Sequence, residues 1–154
     1  MNMKLIADEM LGKLSKWLRF IGYDTEYFSG GPDAELLLQA KSEGRIILTR
    51  DYELFMNSKQ GLTVVFIRFD KLKDQLSQIK NELNLMNLSE KFQRCSQCNR
   101  TLSSVEKDFV KGMIPPYILK TKDEFKYCDH CRKVYWSGSH SKHINDLIEE
   151  IFNE

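Results

Sequence analysis

Over the first half of the chain, short β-branched apolar runs alternate with stretches whose apolar residues recur at helical spacing. Lys4–Ala7 (KLIA) reads as a strand. Met10, Leu11, Leu14, Trp17, Leu18 and Ile21 then follow the period of a helix, which Gly22 ends. Residues 25–28 (TEYF) read as a second strand. Gly-Gly-Pro punctuates, and Pro32 suits the first turn of a helix, DAELLLQAKSE, that stops at Gly44. Ile46–Thr49 (IILT) is the third strand, YELFMNS a short helix, and residues 62–67 (LTVVFI) the fourth strand. Asp70 is placed to cap KLKDQLSQIKNEL, whose Leu72, Leu76, Ile79 and Leu83 mark one face. Strand and helix alternate four times, the pattern of a parallel α/β sheet flanked by helices.

After Arg94 the pattern changes to short segments, four cysteines and a Pro-Pro turn. A polar, patternless stretch at 84–94 reads as a linker. The chain therefore divides into an α/β domain (1–90), a small cysteine-bearing domain (91–143) and a C-terminal helix (144–154), INDLIEEIF, that packs back on the first domain. Charge follows the same division. Residues 1–90 carry 12 Lys and Arg against 13 Asp and Glu, residues 91–143 carry 11 against 5, and the tail has four acids and no base. The basic middle segment is either a solvated surface or a face for a polyanion. No apolar stretch is long enough to span a bilayer. The charged start MNMKLIADEM lacks a secretory h-region, so a cytoplasmic location is expected.

The cysteines fall in two C-x-x-C pairs, Cys95/Cys98 and Cys128/Cys131. Two residues between thiolates let both bind one ion from a tight turn, and a second pair completes a tetrahedron, the layout of a zinc ribbon. Disulfides or a redox pair fit poorly with a cytosolic chain. Four thiolates leave no open coordination position, so this Zn²⁺ is expected to be structural. His130, inside the second pair, is expected to face solvent.

The chemistry must then lie elsewhere. In a parallel sheet every strand ends at one edge, where ligands bind. Asp8 follows the first strand, Asp51 the third and Asp70 the fourth, while Asp33 opens the helix after the second. Each also has a structural explanation as a helix cap or dipole partner. Carboxylates gathered together repel unless a cation lies between them. Hard oxygen ligands at strand ends suit Mg²⁺ or Mn²⁺, which also bind substrate phosphates. No phosphate-binding P-loop and no dinucleotide fingerprint is present.

The segments ADEMLGKLSKWLRFIGYDT, DAELLLQAKSEGRIILTRD, RCSQCNRTL and YCDHCRKVYWSGSH occur in the order of a known family. The chain resembles the PIN-like ribonuclease domain fused to a zinc ribbon, the family named after the C-terminal region of the Mut-seven exonuclease. The resemblance spans residues 4–140, nearly the whole chain. It implies a PIN-like sheet whose acids hold one or two Mg²⁺ or Mn²⁺ ions and hydrolyse RNA to a 5′-phosphate and a 3′-hydroxyl. Asp8, Asp33 and Asp51 match the family's acids, and Asp70 falls near a fourth. Glu9 and Glu35 neighbour the motif acids and rank below them as ligands. Arg19, Arg50 and Arg100 lie in or beside the motifs and are candidates for phosphate contact. Tyr135, Trp136 and His140 either stack on a base of single-stranded RNA or brace the ribbon. The implied function is a metal-dependent ribonuclease with a structural zinc ribbon that aids RNA binding. The alternative is a non-catalytic RNA-binding or ribosome-associated module.

Overall fold

A computed structural model of the protein describes residues 3–58, 61–86, 93–136 and 139–153, with the backbone alone for 139–141. Four strands form one parallel sheet: β1 (Lys4–Ala7), β2 (Asp24–Tyr27), β3 (Ile46–Thr49) and β4 (Val64–Phe66). Their order across the sheet is β2-β1-β3-β4. Ala7 stands level with both Tyr27 and Leu48, and Thr49 with Phe66. The order reverses between β1 and β3, so the connections leaving these two strands diverge and open a crevice at their C-terminal ends.

Strand alternation divides the core into two faces. Leu5, Ala7 and Leu48 pack with α1 (Gly12–Ile21), α4 (Leu72–Leu83) and α7 (Ser139–Phe152), through Leu14, Leu18, Ile21, Leu76, Ile79, Ile148 and Ile151. Ile6 and Ile47 face the other way, toward Leu36 and Ala40 of α2 (Asp33–Glu43) and Leu54 of α3 (Tyr52–Met56). Gly22 (φ 113°) and Gly44 (φ 67°) end α1 and α2 in the left-handed conformation that glycine alone adopts freely. Helix α7 begins at Ser139, five residues before the apolar period that predicts it at 144. Its first turn carries Ser, His and Lys and so has no apolar signal. Part of the predicted 84–94 linker lies outside the described residues.

One capping expectation is corrected. Helix α4 starts at Leu72, with Lys71 at its N-cap and no side-chain cap. The Asp70 carboxylate pairs with Arg50 instead, Nη2 to Oδ1 at 2.6 Å. A guanidinium fork competes better for an exposed carboxylate than one backbone N–H does.

The second module is a three-stranded antiparallel sheet of β5 (Ser103–Val105), β6 (Phe125–Cys128) and β7 (Lys133–Tyr135), in the order β5-β6-β7. The spacer between the cysteine pairs folds into α5 (Lys107–Val110) and α6 (Pro116–Thr121). Pro116 occupies the first turn of α6, so the Pro-Pro segment starts a helix as well as turning the chain. Val110, Ile114, Phe125 and Val134 form a small apolar core beneath it.

This module docks on the free edge of β2. The backbone N–H and C=O of Thr25 point away from β1. Asn99 Oδ1 accepts from the N–H at 3.0 Å, and Arg19 Nε donates to the C=O at 2.7 Å. Asn99 Nδ2 also donates to Asp24 at 2.7 Å and to Glu26 at 3.1 Å. Arg19 reaches on to the Ser96 carbonyl through Nη1, at 2.9 Å. An edge strand is thus closed by side chains where another sheet would add a strand.

Two outcomes follow from this seam. Asn99→Ala should cost about 2–3 kcal/mol, because it strands buried partners and puts alanine at a left-handed position. Urea unfolding measures that loss, and faster amide exchange at Thr25 locates it. The second outcome concerns acid. Burial pushes the Asp24 carboxyl up, but hydrogen bonds from Arg45 and Asn99 outweigh it and hold the group below the usual carboxylate range. A carboxyl depressed in the folded state adds stability above its unfolded pKa and loses it as pH falls through the folded value. The stability gap between wild type and Asp24→Asn should therefore be constant above about pH 5 and shrink below about pH 4.

Candidate active site and metal centre

The crevice between β1 and β3 is built around Asp8, which is only 7% exposed. Its Oδ1 accepts from the Met10 N–H at 3.0 Å, starting the single turn that leads into α1. Its Oδ2 accepts from the Thr49 hydroxyl and from the Arg50 N–H, the latter at 3.1 Å. Thr49 Oγ1 in turn accepts from the Asp51 N–H at 2.9 Å. One hydroxyl therefore fixes both the Asp8 carboxylate and the backbone that carries Asp51. Thr49 is fully buried, and the apolar pattern of IILT makes it look like the end of a strand and nothing more.

Asp51 caps α3, its Oδ1 accepting from the Leu54 N–H at 3.1 Å. Its structural role as a cap is thus real, and it occupies one of two carboxylate oxygens. Asp33 lies exposed in the first turn of α2, beyond the end of β2, with Pro32 at the N-cap. Asp70 lies past β4, in its pair with Arg50. All four acids are on connections that leave the C-terminal edge of the sheet. The carboxylates of Asp8, Asp33 and Asp51 do not all come within 4.8 Å of one another.

The other candidates are scattered. Arg19 is buried, with two nitrogens spent on backbone carbonyls. Burial lowers its pKa, and Glu26, Cys98 and Cys95 pull it back up. Arg50 spans the carbonyl of Phe69 and the carboxylate of Asp70. Arg100 is exposed, immediately after Asn99. Trp136 is half-buried against the ribbon's apolar core. Tyr135 faces the first cysteine pair, its hydroxyl 3.1 Å from Cys95 Sγ and accepting from the Ser96 N–H at 3.2 Å. The side chain of His140 lies outside the described residues. Glu9 lies beside Gly30, and Glu35 beside Gly31.

The cysteines do converge. Among the described residues, the Sγ atoms of Cys95, Cys98, Cys128 and Cys131 form a group in which all lie within 4.8 Å of one another. Four sulfurs at zinc-bonding distance of one centre form a tetrahedron with edges of about 3.8 Å. Cys98 and Cys128 are 3.5 Å apart, so the donor set fits a zinc ion. The residue after each pair, Asn99 (φ 71°) and Arg132 (φ 54°), takes the left-handed conformation that turns the chain away. Burial pushes the Cys95 thiol up, but hydrogen bonds from Tyr135 and from the Cys98 and Gln97 backbone bring it down to about 6. Cys131 is pushed up to about 12 by burial and by Cys98 and Cys95. A zinc ion binds thiolates, so its binding would release the thiol protons that remain. His130 is exposed and outside the group.

A four-stranded parallel α/β domain carrying a tetrathiol ribbon defines the class of protein. The chain belongs to the Mut7-C RNAse domain family, whose profile matches residues 3–148. That family suggests a nuclease-type function, with RNA as substrate or partner. No curated protein and no solved structure matches the chain. Among the described residues no helix is long and apolar enough to cross a membrane.

Freshly purified, reduced protein should carry about one zinc per chain, the stoichiometry of a single four-thiolate centre. Elemental analysis checks it. Cys98→Ser should lose most of that zinc and unfold the ribbon, while amide protection persists at Leu5, Ile6 and Ile47 in the parallel sheet.

Proposed function

We propose that the chain is a metal-dependent ribonuclease whose site is the crevice between β1 and β3. Asp8 and Asp51 flank it, Asp33 stands beyond the neighbouring strand, and the three carboxylates would hold Mg²⁺ or Mn²⁺. The observation that carries this reading is Asp8: a carboxylate buried at the switch point of a parallel sheet and oriented by three donors. A carboxylate built in so rigidly is arranged to present its one remaining lone pair, on Oδ1, in a fixed direction. The donors fit the ion in kind, since Mg²⁺ takes oxygen ligands, is commonly held by one or two carboxylates, and keeps several waters.

When bound, such an ion supplies charge stabilisation to a scissile phosphate and eases deprotonation of water. The chain's own residues do the rest. The Thr49 hydroxyl keeps Asp8 and the Asp51 backbone in fixed relation. Asp51 keeps Oδ1 on its helix and offers Oδ2. Asp70 holds Arg50 beyond the end of β4. The ribbon adds RNA affinity without adding catalytic groups.

The spacing of the three carboxylates favours a second reading, a non-catalytic RNA-binding module with a degenerate acid site. Asp51→Asn separates the two. Asparagine is as good a cap as aspartate, so the variant should melt near the wild type without added metal. Cleavage of single-stranded RNA with Mn²⁺ should fall by roughly 10²-fold or more. Mn²⁺ should raise the melting temperature of the wild type more than that of the variant. Equal rates and equal metal-induced shifts would overturn the ribonuclease assignment.

A further inference from the structure

A cavity of about 550 Å³ lies between α1, the end of β2 and the first cysteine pair. Its wall carries Lys13, Lys16 and Arg19, three residues apart in turn and so stacked along one side of α1. Lys13 and Lys16 are exposed, and among the described residues neither pairs with a carboxylate. Arg19 is different in kind. It is 5% exposed, and Nε and Nη1 are fixed on Thr25 and Ser96, so its guanidinium is held rigid at the base of the cavity. One acid, Glu26, lines the same wall. It accepts from Asn99 Nδ2 at 3.1 Å and lies 3.8 Å from Arg45, which offsets its charge.

The cavity also joins the two modules. Its lower end is formed by Gln97 and Cys98 of the ribbon. Its upper end is formed by Gly12 and Tyr27, and the Tyr27 hydroxyl donates to the Glu9 carbonyl at 2.6 Å, one residue from Asp8. A cationic stripe about 9 Å long, the rise of six helical residues, therefore leads from the cysteine pair toward the acid crevice.

We infer that this groove guides a single strand of RNA between the ribbon and the Asp8 crevice, its phosphates lying against Lys13, Lys16 and Arg19. What lies at the upper end rests on the ribonuclease reading. Lysine and arginine recognise phosphate without regard to sequence. The volume is in the range of a small-ligand pocket, enough for about one or two nucleotides of a single strand. Prefixing Arg19 removes part of the ordering cost of binding. The basic excess of the ribbon is a less direct guide, because Arg94 faces Asp24, Lys107 pairs with Asp123, and Lys133 lies over Tyr135.

The test is fluorescence anisotropy with a single-stranded RNA oligonucleotide and no added divalent ion, so that cleavage plays no part. Lys13→Gln/Lys16→Gln removes two exposed charges from the groove. Lys4→Gln/Lys41→Gln removes two exposed charges elsewhere. The groove pair should weaken binding at least about 10-fold at low salt and flatten the logarithmic salt dependence by about 1.4, two contacts at the single-strand value. The control pair should leave both near wild type. Equal effects of the two pairs, no effect of the groove pair, or a duplex competing as well as the single strand would each overturn the assignment. Groove-dependent binding by a protein that cleaves no RNA keeps the groove and sinks the ribonuclease reading. Cleavage by a protein whose binding ignores Lys13 and Lys16 does the reverse.

Discussion

Thr25 carries one backbone N–H and one C=O on the free side of the sheet's edge strand, and both have to find partners. Asn99 and Arg19 supply them, and the rest of the arrangement depends on that match. Asn99 is the residue after the first cysteine pair, so its grip on β2 fixes the orientation of the ribbon. Arg19 binds Thr25 and Ser96 together, which closes α1, β2 and the ribbon into one seam. The seam is strongly polar, and its charges are matched: Asp24 and Glu26 face Arg45, Arg94 and the Asn99 amide. Helix α7 completes the closure by returning from the ribbon to pack on α1 and α4.

The acid crevice obeys a different constraint, set by topology. Chains leaving β1 and β3 diverge because one continues toward β2 and the other toward β4. The gap between them is polar because Thr49 and Asp8 face each other across it. A threonine at the end of a buried strand costs stability unless its hydroxyl is satisfied. Here it both donates and accepts, so the same contact that satisfies it also aims the carboxylate. The proposed ligand and the fold share one hydrogen-bond network. The tetrathiol cluster stands apart from this crevice and ties the short strands of the ribbon, whose own apolar core is small.

Much of this was legible along the chain. Short apolar runs and period-3.6 patterns placed four strands and their helices, and glycines marked two helix ends. The paired cysteines announced their convergence, because a C-x-x-C turn is a local structure. The acids could be assigned to one edge because parallel strands share a direction. Other features had no local signal. Nothing in CNRT shows that Asn99 serves Thr25, more than seventy residues earlier. Arg19 reads as a candidate for phosphate contact, yet it is buried because two carbonyls, one six residues away and one seventy-seven, converge on it. Asp70 reads as a cap, and Arg50 takes it away.

The sequence by itself determined the elements of the parallel domain, the direction of its sheet and the thiol set, since these rest on periodicity and on spacings of a few residues. Only the tertiary structure decided which carboxylate is buried and which are exposed, which hydroxyl orients Asp8, and where the cationic face of α1 leads. Those outcomes depend on which groups are left unpaired when remote segments meet. That is a condition on the whole folded chain, because a buried polar group is satisfied or not by neighbours that the local pattern does not name.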